Sequence, residues 1–163
     1  MKVALAGSSG SGKSTVAKHL VDRHGFALAS TGDICRQISN LLFGGEDKTS
    51  LNKVSEMVRQ MDPGLFITAA LRGLPDDRVV LDSVRYASDI SRVQSSGFQV
   101  WRVTCPADER IRRLSARGQV IESSDLKHAS ETELSDNSFN TTIVNGSGEE
   151  DDLVAQIDVL LRT

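Results

Sequence analysis

The sequence predicts an α/β protein, a three-layer arrangement in which helices cover both faces of a central parallel sheet of five strands. Three observations predict it. Short apolar runs alternate with longer segments of helical period along the chain, and a strand followed by a helix followed by a strand pairs in parallel through a right-handed crossover. The 163 residues are 39% hydrophobic, enough for one core at this length without disulfide or metal staples. The first apolar run leads through a glycine-rich turn directly into a helical segment.

Taken in order, residues 3–6, 26–29, 79–81, 100–103 and 142–144 read as the strands, being short and rich in Val, Ile, Leu and Ala. The first helix is expected over 13–24, with Val16, Ala17, Leu20 and Val21 on one face and Gly25 as its stop. A second begins after Asp33, which suits an N-cap, and ends at Gly44 and Gly45. Residues 50–73 hold two helices parted at Asp62 and Pro63, and further helices are expected over 88–96, 106–117 and 149–161. Helical residues of about 33–75 lie between the second and third strands. The polar stretch 119–140, rich in Ser, Glu and Asp, interrupts the alternation; a long loop in a small domain points to a lid, over about 117–140. The whole chain, 1–163, reads as a single domain.

Composition narrows the function. Nineteen Lys and Arg stand against 22 Asp and Glu, a net charge of −3, which disfavours a globally basic nucleic-acid binder. Cys35 and Cys105 are far apart and form no CxxC pair, so they are expected to be reduced thiols in the core, and the three histidines suggest no ligand cluster at metal spacing. The run 3–6 is too brief for a signal peptide, and no later run reaches the length of a membrane span, so a cytoplasmic protein without a membrane partner is expected.

The strongest motif is Gly7-Ser8-Ser9-Gly10-Ser11-Gly12-Lys13-Ser14, followed by Thr15, which satisfies G-x-x-x-x-G-K-[ST] between a predicted strand and a predicted helix. Its chemistry is polyphosphate binding. The glycines let backbone N–H groups close around phosphate, the helix N-terminus adds positive potential, Lys13 reaches the β and γ phosphates, and the Ser14 hydroxyl suits Mg²⁺. A P-loop nucleotide-binding fold follows, with ATP and Mg²⁺ as the expected cofactors. Val79-Val80-Leu81-Asp82 has the form of a Walker B strand whose carboxylate would hold the metal directly or through water. Guanine-specific signals are missing: Asn52-Lys53-Val54-Ser55 lacks the Asp of N-K-x-D, and Asp82 has no glycine at the D-x-x-G position.

Ser30-Thr31-Gly32-Asp33-Ile34-Cys35-Arg36, after the second strand, resembles the S-T-G-D-x-x-R segment of adenylate kinases and related nucleoside monophosphate kinases. Further along, the order of Asp82-Ser83-Val84-Arg85-Tyr86, Trp101-Arg102-Val103, residues 127–134 and Ile143-Val144-Asn145-Gly146 is similar to phage-type deoxynucleoside monophosphate kinases, and in part to P-loop phosphomevalonate kinases. The resemblance implies that Thr31, Gly32, Asp33 and Arg36 serve the acceptor, and that Arg113 and Arg117 contact the donor base and phosphates. It implies a donor-base cradle at Asn145 and Gly146, and an acceptor or lid role for His128 and Glu131. Two positions depart from it: Ser83 and Asn140 stand where related sequences often carry Asp.

Arginine placement supports phosphoryl transfer without the resemblance, since a triphosphate and a monophosphate brought together need fixed cations where water is excluded. Arg85 follows the third strand, at the carboxyl edge of the sheet where ligands bind in open α/β folds, and is expected to clamp the acceptor phosphate. Arg110, Arg113 and Arg117 recur on one helical face, with Arg112 displaced from it. A phosphate acceptor is largely ionised at pH 7 and needs no strong general base, whereas an alcohol acceptor would need a carboxylate, for which Asp33 is the candidate. The expected activity is therefore ATP-dependent phosphorylation of a nucleoside monophosphate, with a deoxynucleotide first, by a monomer or homodimer. The alternatives are a kinase of another phosphorylated or hydroxylated metabolite and a nucleotide-dependent regulatory module.

Overall fold

The computed structural model describes residues 1–118, 139–146 and 150–162. Five strands, β1 (Lys2–Ala6), β2 (Ala27–Ser30), β3 (Val79–Val84), β4 (Phe98–Thr104) and β5 (Thr141–Val144), form one sheet in the order β2-β3-β1-β4-β5, every pair parallel. The helices are α1 (Lys13–His24), α2 (Thr31–Phe43), α3 (Lys48–Met61), α4 (Leu65–Leu71), α5 (Ala87–Ser95), α6 (Ala107–Ala116) and α7 (Glu150–Leu160).

Period-two alternation along the buried strands sorts the core into two layers. Val3, Leu5, Val80, Trp101, Val103 and Ile143 meet Val16, Ala17 and Leu20 of α1 and Leu153 and Ile157 of α7 on one side. Ala4, Ala6, Ala29, Leu81 and Val100 meet Ile67 and Ala70 of α4 and Ile90 and Val93 of α5 on the other. The small residues of the second set let α4 and α5 approach closely, while Trp101 fills the first; truncating a buried residue such as Leu20 to Ala would cost about 2–5 kcal/mol.

Three local details depart from the sequence reading. Helix α2 starts at Thr31, capped by Ser30, whose hydroxyl accepts the Asp33 N–H at 3.1 Å, so Asp33 lies inside the first turn and is not the N-cap. Pro63 sits in the turn before α4 rather than within it, and Asp62 instead accepts the Gly64 N–H at 2.8 Å. Strand β3 runs to Val84, and the β1 register passes from Leu5↔Asp82 to Ala6↔Val84, leaving Ser83 as a bulge.

Both cysteines are free and only half-buried, so they are not core thiols. The histidines also correct the sequence reading: His19 and His24 of α1 converge with Asp158 of α7. They are five residues apart, about 140° around a helix, a separation that no face-sharing pattern reveals. Among the described residues no helix is long and apolar enough to cross a membrane.

Candidate functional site

The carboxyl ends of β1, β3 and β4 frame the glycine-rich loop, which runs from Gly7 into α1. Two glycines are required there twice over, by torsion and by space. Gly7 has φ 137° and Gly12 φ 107°, and a Cβ on either would lie 2.2 Å from its neighbour, the Val103 carbonyl oxygen and Asn145 Nδ2 respectively. The loop is also held from outside: Asn145 Nδ2 donates to the Ser11 carbonyl at 2.9 Å and Arg110 Nε to the Ser9 carbonyl at 3.0 Å. Arg113 in turn donates to Asn145 Oδ1 at 3.2 Å. Lys13 Nζ donates to the carbonyls of Gly7 and Ser8 at 2.8 and 2.9 Å, so its ammonium lies over the cradle it is expected to serve. The Ser11 hydroxyl is buried without a partner among the described residues. Thr15, in the first turn of α1, donates its N–H to the Gly12 carbonyl at 3.0 Å.

Ser14 and Asp82 come together from α1 and β3, 68 residues apart, with Ser14 Oγ 3.2 Å from Asp82 Oδ2. Octahedral Mg²⁺ with oxygens at about 2.0–2.1 Å places adjacent ligands roughly 3 Å apart, so this pair fits one edge of such a site.

On the opposite side the first turn of α2 presents Thr31, Gly32, Asp33 and Arg36. Thr31 Oγ1 donates to the Ser83 carbonyl at 3.1 Å, tying the turn to the β3 bulge, and Gly32 faces the Arg36 guanidinium, whose Nη1 would be 3.4 Å from a Cβ there. Asp33 is ion-paired with Arg36, which holds its carboxyl below the usual range, the Ser30 hydroxyl adding to the effect. Burial raises the Cys35 thiol, against the positive charges of Arg85 and Arg36, so both guanidiniums act on the same small region.

Other members of this side were not singled out in the sequence. The Arg59 guanidinium lies 3.4 Å from the centroid of the Tyr86 ring, and Arg59 and Tyr86 line a cleft with Asn52, Ser55, Glu56 and Gln60. Buried Asp89 accepts the backbone N–H groups of Arg85 and Tyr86, each at 3.1 Å, and pairs with Arg59 at 3.5 Å. Burial raises its carboxyl, with those N–H groups and Arg59 opposing. Asp89 thus fixes the backbone from which Arg85 projects. Its place in the first turn of α5 was a readable signal; the meeting of Arg59 with Tyr86 was not, because 27 residues separate them.

The α6 arginines divide. Arg112 and Arg113 both bind Glu109, and Arg112, with Arg113 beside it, brings that carboxyl down to about 2. Arg113 alone of the two also reaches the P-loop network through Asn145, while Arg117 ends the helix, exposed. Asn145 therefore engages the loop through its side chain, with Gly146 next to it. His128, Glu131 and all but the edges of the expected lid lie outside the described residues.

Residues 3–133 match the family model described as "AAA domain". A cytidylate kinase of Rhodopseudomonas palustris strain BisB5 is 38% identical over 127 residues, covering 68% of this chain and 60% of the relative. One from Haloarcula marismortui is 34% identical over 119 residues, 72% of this chain and 58% of the relative. The chain thus spans less than two thirds of the curated relatives it matches. Shikimate kinase from Acinetobacter baumannii, solved in complex with shikimate, superposes with a TM-score of 0.65 at 15% identity, over 99% of this chain and 92% of that one, a likeness of fold.

Proposed function

The chain belongs to the AAA domain family, and from that premise we propose that it transfers a phosphoryl group from ATP to a nucleoside monophosphate, a cytidine-type one first and in its deoxy form by the resemblance to the phage-type enzymes. The observation that carries the reading is the pairing of two sides: a P-loop with Lys13 across it, and a second group of cations, Arg36 and Arg85 near Cys35 and Arg59 on the wall of a cleft with Tyr86. The cytidylate kinase relatives support a nucleotide as acceptor.

In this reading the loop backbone over residues 9–15 and Lys13 bind the donor phosphates, with Arg113 steadying the cradle through Asn145, and with Arg117, Asn145 and Gly146 nearest the donor base. Arg36 and Arg85 bind and orient the acceptor phosphate, and the Arg59–Tyr86 stack offers the nucleoside a flat cationic wall. Ser14 and Asp82 hold Mg²⁺, which when bound neutralises phosphate charge. Transfer then depends on holding two anions in line rather than on removing a proton. Asp33 serves here as the group that orients Arg36. A carboxylate kept ionised by an arginine is a poor proton acceptor, which favours a phosphate over the alcohol that a fold shared with shikimate kinase would also allow.

A direct test incubates the protein with Mg-ATP and, separately, CMP, dCMP, UMP, dTMP, AMP, phosphometabolites and simple polyols, following ADP release and acceptor mass. The expected result is a gain of one phosphoryl group by CMP or dCMP. Phosphorylation of a hydroxyl compound alone would replace this reading with the metabolite-kinase one, and ATP binding without transfer to any acceptor would replace it with a regulatory one.

A further inference from the structure

The convergence of His19, His24 and Asp158 on the surface of the α1–α7 layer has no part in the proposed phosphoryl transfer. His19 Nε2 is 2.8 Å from Asp158 Oδ1, His24 Nε2 is 2.9 Å from the same oxygen, and the two ring nitrogens are 3.3 Å apart. The rings meet edge to face with centroids 5.1 Å apart. His19 lies six residues beyond Lys13, about 9 Å along the helix, and His24 is farther still, so the cluster is remote from the P-loop.

Three features make this more than a hydrogen-bonded surface pair. The donor set is two imidazoles and one carboxylate, the composition of three-ligand zinc sites that leave a fourth position to water. The spacing fits: around a tetrahedral ion about 2.0–2.1 Å from each ligand atom, neighbouring ligands lie roughly 3.3–3.4 Å apart, which is already the separation of the two ring nitrogens. The carboxylate oxygen needs to withdraw by only about half an ångström, within reach of a χ rotation of a partly exposed side chain. Finally, both ring nitrogens lie within hydrogen-bond distance of one carboxylate oxygen, whereas a salt-bridge clasp needs only one ring there.

The geometry points to a divalent transition-metal site, of the zinc class, formed by His19 Nε2, His24 Nε2 and an oxygen of Asp158, that clamps the last helix to the end of the helix that begins at the P-loop. Neutral rings would bind through Nε2 with the proton on Nδ1, and one carboxylate against two positive charges leaves a net charge that a bound water or an anion can share. Such a site ties residues 139 positions apart and stabilises the folded chain in proportion to metal activity.

Cobalt is the probe, because tetrahedral Co²⁺ absorbs in the visible. The full chain carrying Cys35→Ser and Cys105→Ser, with excess Mg²⁺ to occupy carboxylates elsewhere, is titrated with CoCl₂ and back-titrated with ZnCl₂. Expected are visible bands that saturate at one equivalent, vanish as Zn²⁺ is added, and a melting temperature that rises with Zn²⁺. His19→Gln, His24→Gln and Asp158→Asn should each weaken Co²⁺ binding at least tenfold and abolish the thermal shift, while circular dichroism and ATP binding stay unchanged. His128→Ala should leave binding intact. Absence of saturable bands, or equal binding by the three variants, or its loss in His128→Ala, would each overturn the site.

Discussion

The two sides of the candidate site are built in different ways. On the donor side the ligand groups are mostly backbone, and their shape is fixed by close approach: Gly7 against the Val103 carbonyl, Gly12 against Asn145, and loop carbonyls held by Asn145 and Arg110. On the acceptor side the groups are side chains from α2, α3 and the β3–α5 turn, with Arg36 and Asp33 each about half exposed. A backbone cradle is preorganised by the fold and tolerates almost no substitution, while a ring of long side chains can be retuned one residue at a time for a different acceptor. In the proposed reading the first side carries the phosphoryl donor and the second the choice of substrate.

The largest effects should therefore fall on the donor side. Lys13→Ala removes the ammonium held over the loop at the Gly7 and Ser8 carbonyls, and turnover should fall by about a thousandfold or more, the scale of losing one preorganised charge contact in the transition state, with the melting temperature nearly unchanged. Steady-state rates with any accepted monophosphate check it, and near-normal turnover would detach the loop from catalysis. Next comes Gly12→Ala. At φ 107° the new Cβ would press on Asn145 Nδ2, so strain of about 1–3 kcal/mol should be relieved by pushing Asn145 off the Ser11 carbonyl, and calorimetry should show weaker ATP binding with acceptor binding little changed. Equal losses for both ligands would mean that the two sides are not separable.

This contrast also explains which features are legible in the sequence alone. The P-loop was legible in full because its function resides in contiguous residues, and Gly7 to Ser14 announce torsions and spacing at once. The five strands were legible because they are short apolar runs, and their parallel pairing because helical segments alternate with them. The α2 boundary was misplaced because two residues, Ser30 and Asp33, are both good caps, and only the backbone direction leaving β2 selects the first. Arg36 and Arg85 came from motifs that stand beside strands. Arg59 did not, since its stack on Tyr86, between α3 and the β3–α5 turn, is a product of packing and leaves no local pattern; Asp89 left only the local signal of an acid in the first turn of α5. The histidine and aspartate cluster was hidden for the same reason.

Smaller effects belong to the acceptor side. Arg36→Ala and Arg85→Ala each remove one charged donor to the acceptor phosphate; a hydrogen bond to a charged group is worth about 1.5–3 kcal/mol, so the acceptor KM should rise roughly ten- to a hundredfold while the KM for ATP stays within a factor of about two to three. Arg85 should give the larger loss, because Asp89 holds its backbone N–H in place, whereas Arg36 is already shared with Asp33. Equal rises in both KM values would remove these residues from acceptor recognition.

The smallest effect is expected for Asp33→Asn, and it divides the two possible acceptors. The folded carboxyl is held below its ordinary value by Arg36, so its stabilising charge is fully present above the unfolded value near 4 and is lost only as pH falls through the lower folded value. Across pH 5–8 Asp33 is therefore always ionised and cannot give activity an acid limb. The acceptor can: a phosphate monoester titrates near 6, and if its dianion is the nucleophile, kcat/KM should rise through about that pH in the parent. Asp33→Asn should keep the same limb, with a loss of no more than about tenfold from the less firmly held Arg36. Were the acceptor an alcohol deprotonated by Asp33, the variant would instead lose nearly all chemistry, and the parent's limb would lie below pH 4, so one pH profile on each protein decides whether the cations opposite the P-loop grip a phosphate or merely surround a hydroxyl.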